Sequence, residues 1–218
     1  MIKFITSVSD WAYRQAKLRH ILLLLLLVLI MNVFVFPYYT ERIVPAEGPP
    51  VLDLHFGFSA EQAYDTLEAF GEKGRGVYLE MLLVADTIYP LIYGLFLIFL
   101  ASFFLKRTLK PDHPFRFINL LAVDAAIFDF LENAGIAYMI HQFPLRADFV
   151  AGLTSVFNIF KWVMIGLAMV LVLVSMVIFF IFTAKAQRRK GAKGFSLIKP
   201  FNVSFEAVIP QPASGWII

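Results

Sequence analysis

Ten consecutive aliphatic residues, Ile21 to Ile30, open the first of four long apolar blocks, at about 21–37, 77–105, 117–140 and 149–184. A helix needs roughly 20 residues to cross ~30 Å of hydrocarbon, and each block comes close to that length or exceeds it. The apolar residues run in blocks rather than alternating along short strands, so the pattern is helical. Composition agrees: 60% of the 218 residues are hydrophobic and 16% are charged, against roughly 45–50% and about 25% in soluble domains. The reading is an all-α fold, a polytopic membrane four-helix bundle.

The basic residues fix an orientation. Lys3, Arg14, Lys17 and Arg19 precede the first block, and Lys106, Arg107, Lys110 and Arg116 join the second to the third. Lys185, Arg188, Arg189, Lys190, Lys193 and Lys199 follow the fourth. These fourteen face four on the other side: Arg42, Lys73, Arg75 and Arg146. Basic loops stay in the cytoplasm, which puts both termini inside and the protein in the cytoplasmic (inner) membrane. A cleaved signal sequence ending near Val44-Pro45-Ala46 is disfavoured, because that site lies far beyond the apolar run.

Three segments flank the blocks. Residues 1–20 read as a cytoplasmic interfacial lead-in helix, with Ile5, Val8, Trp11, Ala12 and Leu18 near one face. Residues 185–218 form a basic cytoplasmic tail, an ordinary stop-transfer anchor that also suits anionic head groups. Between spans one and two, the outer loop 38–76 holds an extracytoplasmic amphipathic helix: Ser59 and Gln62 fit a capping box, and Ala63, Leu67 and Phe70 share a stripe beside Tyr64. Gly71 and Gly74 supply a stop and a flexible joint. Seven acidic residues from Glu41 to Glu72, against three basic ones in the loop, make an acidic cap.

Ionisable residues inside the blocks are the informative ones, because a charge at the bilayer centre costs about 2.5–3.5 kcal/mol. At 100° per residue, Asp86, Tyr89, Pro90 and Tyr93 share a face of span two. Asp129, Glu132, Asn133 and Ile136 share one of span three, from which Asp124 points away. Thr154, Asn158, Lys161 and Ile165 share one of span four. Counting from Arg116, Lys106 and Lys185 places Glu132, Asp86 and Lys161 roughly 24, 30 and 36 Å above the cytoplasmic anchors, all in the outer third or just beyond.

Three arrangements satisfy this convergence. The stripes line an outward-facing pocket capped by the 59–70 helix. Alternatively they are interhelical glue, with Lys161 paired to Asp86 or Glu132 and Asn133, Asn158 and Tyr89 completing a network. Or Lys161 snorkels outward and 162–183 is the span. Asp86, Asp129 and Glu132 outnumber Lys161 three to one, and a closed pair needs no such surplus. Carboxylates crowded in a low-dielectric site form a proton-handling or cation-binding arrangement, and paired carboxylates also serve acid–base chemistry. Arg75 and Glu80 offer a further pair at the entrance of span two.

Much chemistry is excluded. The absence of cysteine rules out disulfides, thiolate metal sites and thiol catalysis. No G-x-S-x-G elbow, H-E-x-x-H or Walker glycine loop occurs. The spacing of His20, His55, His113 and His141 matches no zinc pattern, so neither metal nor cofactor is expected. The loops carry no nucleic-acid footprint.

The elements Gly74-x-x-x-Tyr78-Leu79, Asp86-x-x-Tyr89-Pro90-Leu91-x-Tyr93-Gly94, Asp129-x-x-Glu132-Asn133 and Lys161-Trp162 carry a resemblance. Over about 53–165 the chain resembles a family of small, uncharacterised prokaryotic four-span integral membrane proteins, and the resemblance implies a fold and no activity.

The leading expectation is a membrane protein that binds or moves a small molecule, lipid or proton at Asp86, Tyr89, Tyr93, Asp129, Glu132, Asn133, Asn158 and Lys161. An intramembrane lipid-modifying enzyme using a carboxylate pair, with no catalytic residue assigned, is the second reading. An accessory subunit of a larger membrane complex is the third. The partners are membrane lipids, and in the third reading other membrane subunits.

Overall fold

The computed structural model describes residues 2–110 and 113–191. Among them every regular element is helical and no strand occurs. Met1–Phe182 form one compact unit, and the second, Thr183–Ile218, is described only as far as Gly191, as helix. The expected tail lies outside the described residues from 192 onward.

The first apolar block becomes a continuous rod, Leu18–Ile43. It comprises α2 (Leu18–Ile30), a single π turn (Met31–Val35) and α3 (Phe36–Ile43). After α4 (Ala60–Ala69) come α5 (Gly71–Thr108), α6 (Leu121–Gln142) and α7 (Asp148–Gly191), with α1 (Ile2–Gln15) at the start. The rod, α5 and Asp148–Lys185 are long and apolar enough to cross a membrane. The third block forms α6, 22 residues long but interrupted by Asp124, Asp129 and Glu132, and it is not among those three.

Helices outrun the apolar blocks because an apolar count measures hydrocarbon thickness, not helix length. α5 starts at Gly71, six residues before its apolar block, and residues 117–120 belong to a 3-10 segment, Pro114–Leu120, instead of α6. Gly71, at φ +63°, turns the chain out of α4. Gly74 is not a joint: it lies inside α5, where a Cβ would come 2.7 Å from the Ile43 carbonyl oxygen, so glycine lets the rod close onto α5.

α5 is the central element, with α1, α2, α3, α4 and α6 all packed on it. Gly135 of α6 performs a second close approach, since a Cβ there would overlap Thr154 of α7. Phe128 of α6 stacks on Phe160 of α7 at 5.1 Å. Small residues at helix crossings bring backbones together where apolar surroundings supply little drive for association.

α1 packs through a different face from the one its apolar residues suggest. Ser9, Ala12, Tyr13 and Ala16 are buried, while Ile5, Trp11 and Leu18 are exposed. The physical reason is that small residues fit against neighbouring helices and Ser9 finds a partner: its hydroxyl donates to Asn119 Oδ1 (2.7 Å), and Asn119 donates to the Ser102 hydroxyl (2.8 Å). The Tyr13 hydroxyl donates to the Arg116 carbonyl at 2.7 Å. Burial pushes the Tyr13 phenol up to about 12, against the lowering influence of the Arg116 guanidinium.

In the loop between the rod and α5, Ser59 and Gln62 make both hydrogen bonds of a capping box. Ala63, Tyr64, Thr66 and Leu67 of α4 are buried, and Glu61, Asp65 and Glu68 are exposed.

Candidate functional site

Phe104 of α5 meets Phe179 of α7 at 5.8 Å. Asp86 precedes Phe104 by eighteen residues and Lys161 precedes Phe179 by eighteen, about 27 Å of helix in each case. Glu132 follows Asn119, which is bonded to Ser102 of α5, by thirteen residues, about 20 Å if helical throughout. The three polar stripes therefore reach one level, and their side chains meet there.

Lys161 is the hub. Its ammonium is 2.6 Å from Glu132 Oε2 and 3.7 Å from Asp129 Oδ1, and it donates to the Asp53 carbonyl at 3.2 Å. Glu132 also accepts from Asn158 Nδ2 (2.8 Å), and Asp129 from the Tyr93 hydroxyl (2.9 Å). Asn133 Nδ2 donates to the Asp86 backbone carbonyl at 3.0 Å. Asp86, Asp129 and Lys161 are each 4% exposed and Glu132 is fully buried. The snorkelling arrangement is not the one seen, because the Lys161 side chain turns inward to these carboxylates.

Asp86 stands apart from this pairing. Its carboxyl is buried within the electrostatic reach of Asp53, Asp129, Glu132 and Lys161, yet it has no hydrogen-bond or ion-pair partner among the described residues. Asn133 Oδ1, Trp162 Nε1 and His55 Nε2 are fully buried without a hydrogen-bond partner, whereas the Asp86 oxygens are not fully buried.

Tyr89 lies at the border. Its hydroxyl accepts from Asn32 Nδ2 at 2.8 Å, and its ring meets Phe36 edge-on at 4.9 Å and Tyr93 at 5.2 Å. Asn32 belongs to the π turn, a feature that recurs at functional sites. Asp124 is exposed. Arg75 and Glu80 do not pair with one another: Arg75 donates to the Leu67 carbonyl and stacks on Phe143, and Glu80 accepts from Tyr39.

Four contributors were not anticipated: Asn32, Asp53, Tyr78 and Ser155. Asn32 was the signal available to sequence reading, a lone amide inside the first apolar block. Asp53 belongs to a strap, residues 52–58, that is bonded onto the cluster in the place expected of the 59–70 helix, and Tyr78 of α5 and Ser155 of α7 hold it there. Tyr78 donates to Asp53 Oδ1 (2.7 Å) and accepts from the Leu52 amide (3.1 Å). The Gly57 amide donates to Asn158 Oδ1 (2.7 Å) and the Phe58 amide to the Ser155 hydroxyl (2.8 Å). Gly57 has φ +80°, and a Cβ on it would sit 3.0 Å from Ile159, so this crossing requires glycine.

Chemically, the arrangement offers hydrogen-bond acceptors and three acidic side chains to one basic inside an otherwise apolar bundle. Among the described residues no group of His, Asp or Glu is arranged to hold a metal ion. An apolar cavity of about 410 Å³, lined by Phe4, Val8, Phe117, Leu121 and Asp124 among others, lies between α1 and the start of α6, away from the cluster. No protein-family model, curated protein or solved structure matches the chain.

Proposed function

We propose that the chain crosses the cytoplasmic membrane four times, with both termini inside, and that its outer-side cluster binds a cationic species, a proton or a small cation, at Asp86. Four crossings follow from counting α6 as a span. At 22 residues it is about 33 Å long, and its acids Asp129 and Glu132 face protein partners instead of lipid. The partition of fourteen basic residues to one side against four to the other supports the orientation, and α4 is then the amphipathic helix on the outer surface.

One observation carries the cation reading: three carboxylates and a single ammonium are buried together, and the Asp86 carboxyl is the one left without a partner. An uncompensated buried charge is costly, so the site is completed by an added positive charge. Asn133 Oδ1, beside the Asp86 carbonyl, offers a further free acceptor.

The test uses dicyclohexylcarbodiimide, an apolar reagent for buried carboxyls, on the protein in lipid nanodiscs. Mass spectrometry is expected to find the adduct at Asp86 and to lose it in Asp86→Asn. Protection by Na+ or ethylammonium identifies a cation, and protection by raised pH alone identifies the proton. An unmodified Asp86, together with unchanged thermal stability of Asp86→Asn under all these conditions, overturns the proposal.

A second reading is favoured by the 2.6 Å Lys161–Glu132 pair and its link to Asn158: the cluster as glue among α5, α6 and α7. It predicts that every cluster substitution lowers stability and that neither Na+ nor ethylammonium protects Asp86 from the carbodiimide.

A further inference from the structure

The strap 52–58 is held to the long helices through part of its backbone. Side chains of the long helices receive the amides of Leu52, Gly57 and Phe58, through Tyr78, Asn158 and Ser155. The Leu54 and His55 amides close the 3-10 turn onto the Val51 and Leu52 carbonyls. The Asp53 carbonyl accepts from both Lys161 and Asn158, and its carboxylate from Tyr78.

The strap's level can be measured. Asp53 touches Lys161, about 27 Å of helix above the Phe104–Phe179 contact, which lies next to Lys106 and Arg107 at the cytoplasmic end of α5. With a core near 30 Å thick, that level falls in the outer part of the hydrocarbon. The Asp53 carbonyl and the Gly57 and Phe58 amides bond to the helices, whereas Leu54 is 60% and Phe56 68% exposed. Large apolar side chains projecting beside apolar helices at that level match a lipid environment. The exposed stripe of α7, Leu153, Val156 and Phe160, runs past the same level.

We infer that the strap is seated at membrane depth, with Leu54 and Phe56 inserted among the acyl chains of the outer leaflet, so that the cluster is closed off by a segment held between lipid and protein. The inference rests on the four-span reading and not on cation binding.

Because the chain has no cysteine, single-cysteine variants report cleanly. Leu54→Cys and Phe56→Cys, both at exposed positions, carry the environment-sensitive fluorophore NBD in nanodiscs of phosphatidylcholine, with Asp65→Cys on the exposed face of α4 as the aqueous control. The expected result is blue-shifted emission at 54 and 56, and quenching by doxyl-labelled phosphatidylcholine several-fold stronger than at 65. Emission and quenching at 54 and 56 equal to those at 65 overturn the inference and point to a protein partner at these residues. Labelling of Asp65→Cys by an impermeant maleimide in intact cells tests orientation separately. Protection there defeats the assignment of sides, while the nanodisc result still decides whether the strap is inserted.

Discussion

Replacing Lys161 with methionine removes the only ammonium in the buried cluster while keeping a long unbranched side chain. At 4% exposure the lysine is out of solvent, and it faces Glu132 at 2.6 Å and Asp129 at 3.7 Å. Taking one partner from a buried pair strands the other charge, a change that costs about 3–5 kcal/mol. The lost bond to the Asp53 carbonyl adds little, because Asn158 still donates there. Lys161→Met is therefore expected to destabilise the fold by about 3–5 kcal/mol, or to shed stability more gradually where the stranded carboxylates take up protons. Adding Glu132→Gln, which keeps an acceptor for Asn158, is expected to recover part of the loss. A coupling of about 0.5–3 kcal/mol is the range for residues in one network. Steric-trapping measurements of unfolding in bicelles on both single variants and the double variant close the cycle. A cost of less than about 1 kcal/mol for Lys161→Met, the scale of an exposed pair, would refute the reasoning, since the lysine would then be solvated and the cluster open.

Two other perturbations address different contacts. Gly135→Ala puts a methyl group into Thr154 and is expected to cost about 1–3 kcal/mol by overpacking, relieved by Thr154→Ala and read by thermal melting; equal stability of Gly135→Ala and wild type refutes the close approach. Tyr13, with a folded-state value of about 12 against an ordinary 10, contributes stability that is full below pH 10 and lost as pH rises from 10 towards 12. Tyrosinate absorbance near 295 nm should therefore lose a step near pH 12 in Tyr13→Phe, and an unchanged titration curve counts against the burial of this phenol.

The sequence carried the long helices because they obey the two signals that apolar patterning reads, block length and a 100° phase. The same phase brought Asp86, Asp129, Glu132, Asn133, Asn158 and Lys161 to the places where they meet. What patterning missed has a common cause. Asp53 lies in a loop rich in carboxylates, where an acid is ordinarily solvated, and only the fold turns its backbone carbonyl toward Lys161. Asn32 has no polar neighbour at helical spacing within its block, so its pairing with Tyr89 exists only across helices. Ser9, Ser102 and Asn119 come from three separate segments, and small polar residues of this kind give no periodic signal at all.

The strap alters how the two readings of the cluster relate. Glu132, Asn158 and Lys161 hold α6 and α7 together, and Asn158 and Lys161 also hold the strap. Any species reaching Asp86 from the outer side must displace bonds that contribute to the stability of the fold. Glue and the proposed binding site are then one set of atoms, and access is a local opening whose free energy is set by six hydrogen bonds between the strap and Tyr78, Ser155, Asn158 and Lys161. Net contributions of about 0.5–1.5 kcal/mol per bond make such an opening smaller than global unfolding and still rare at equilibrium. The Asp86 carboxyl contributes no bond to the closed state, so neutralising it leaves the strap shut, whereas neutralising Lys161 loosens strap and helices together. In the proposed cation site, this asymmetry separates the residue that would receive the cation from the residue that keeps the site closed.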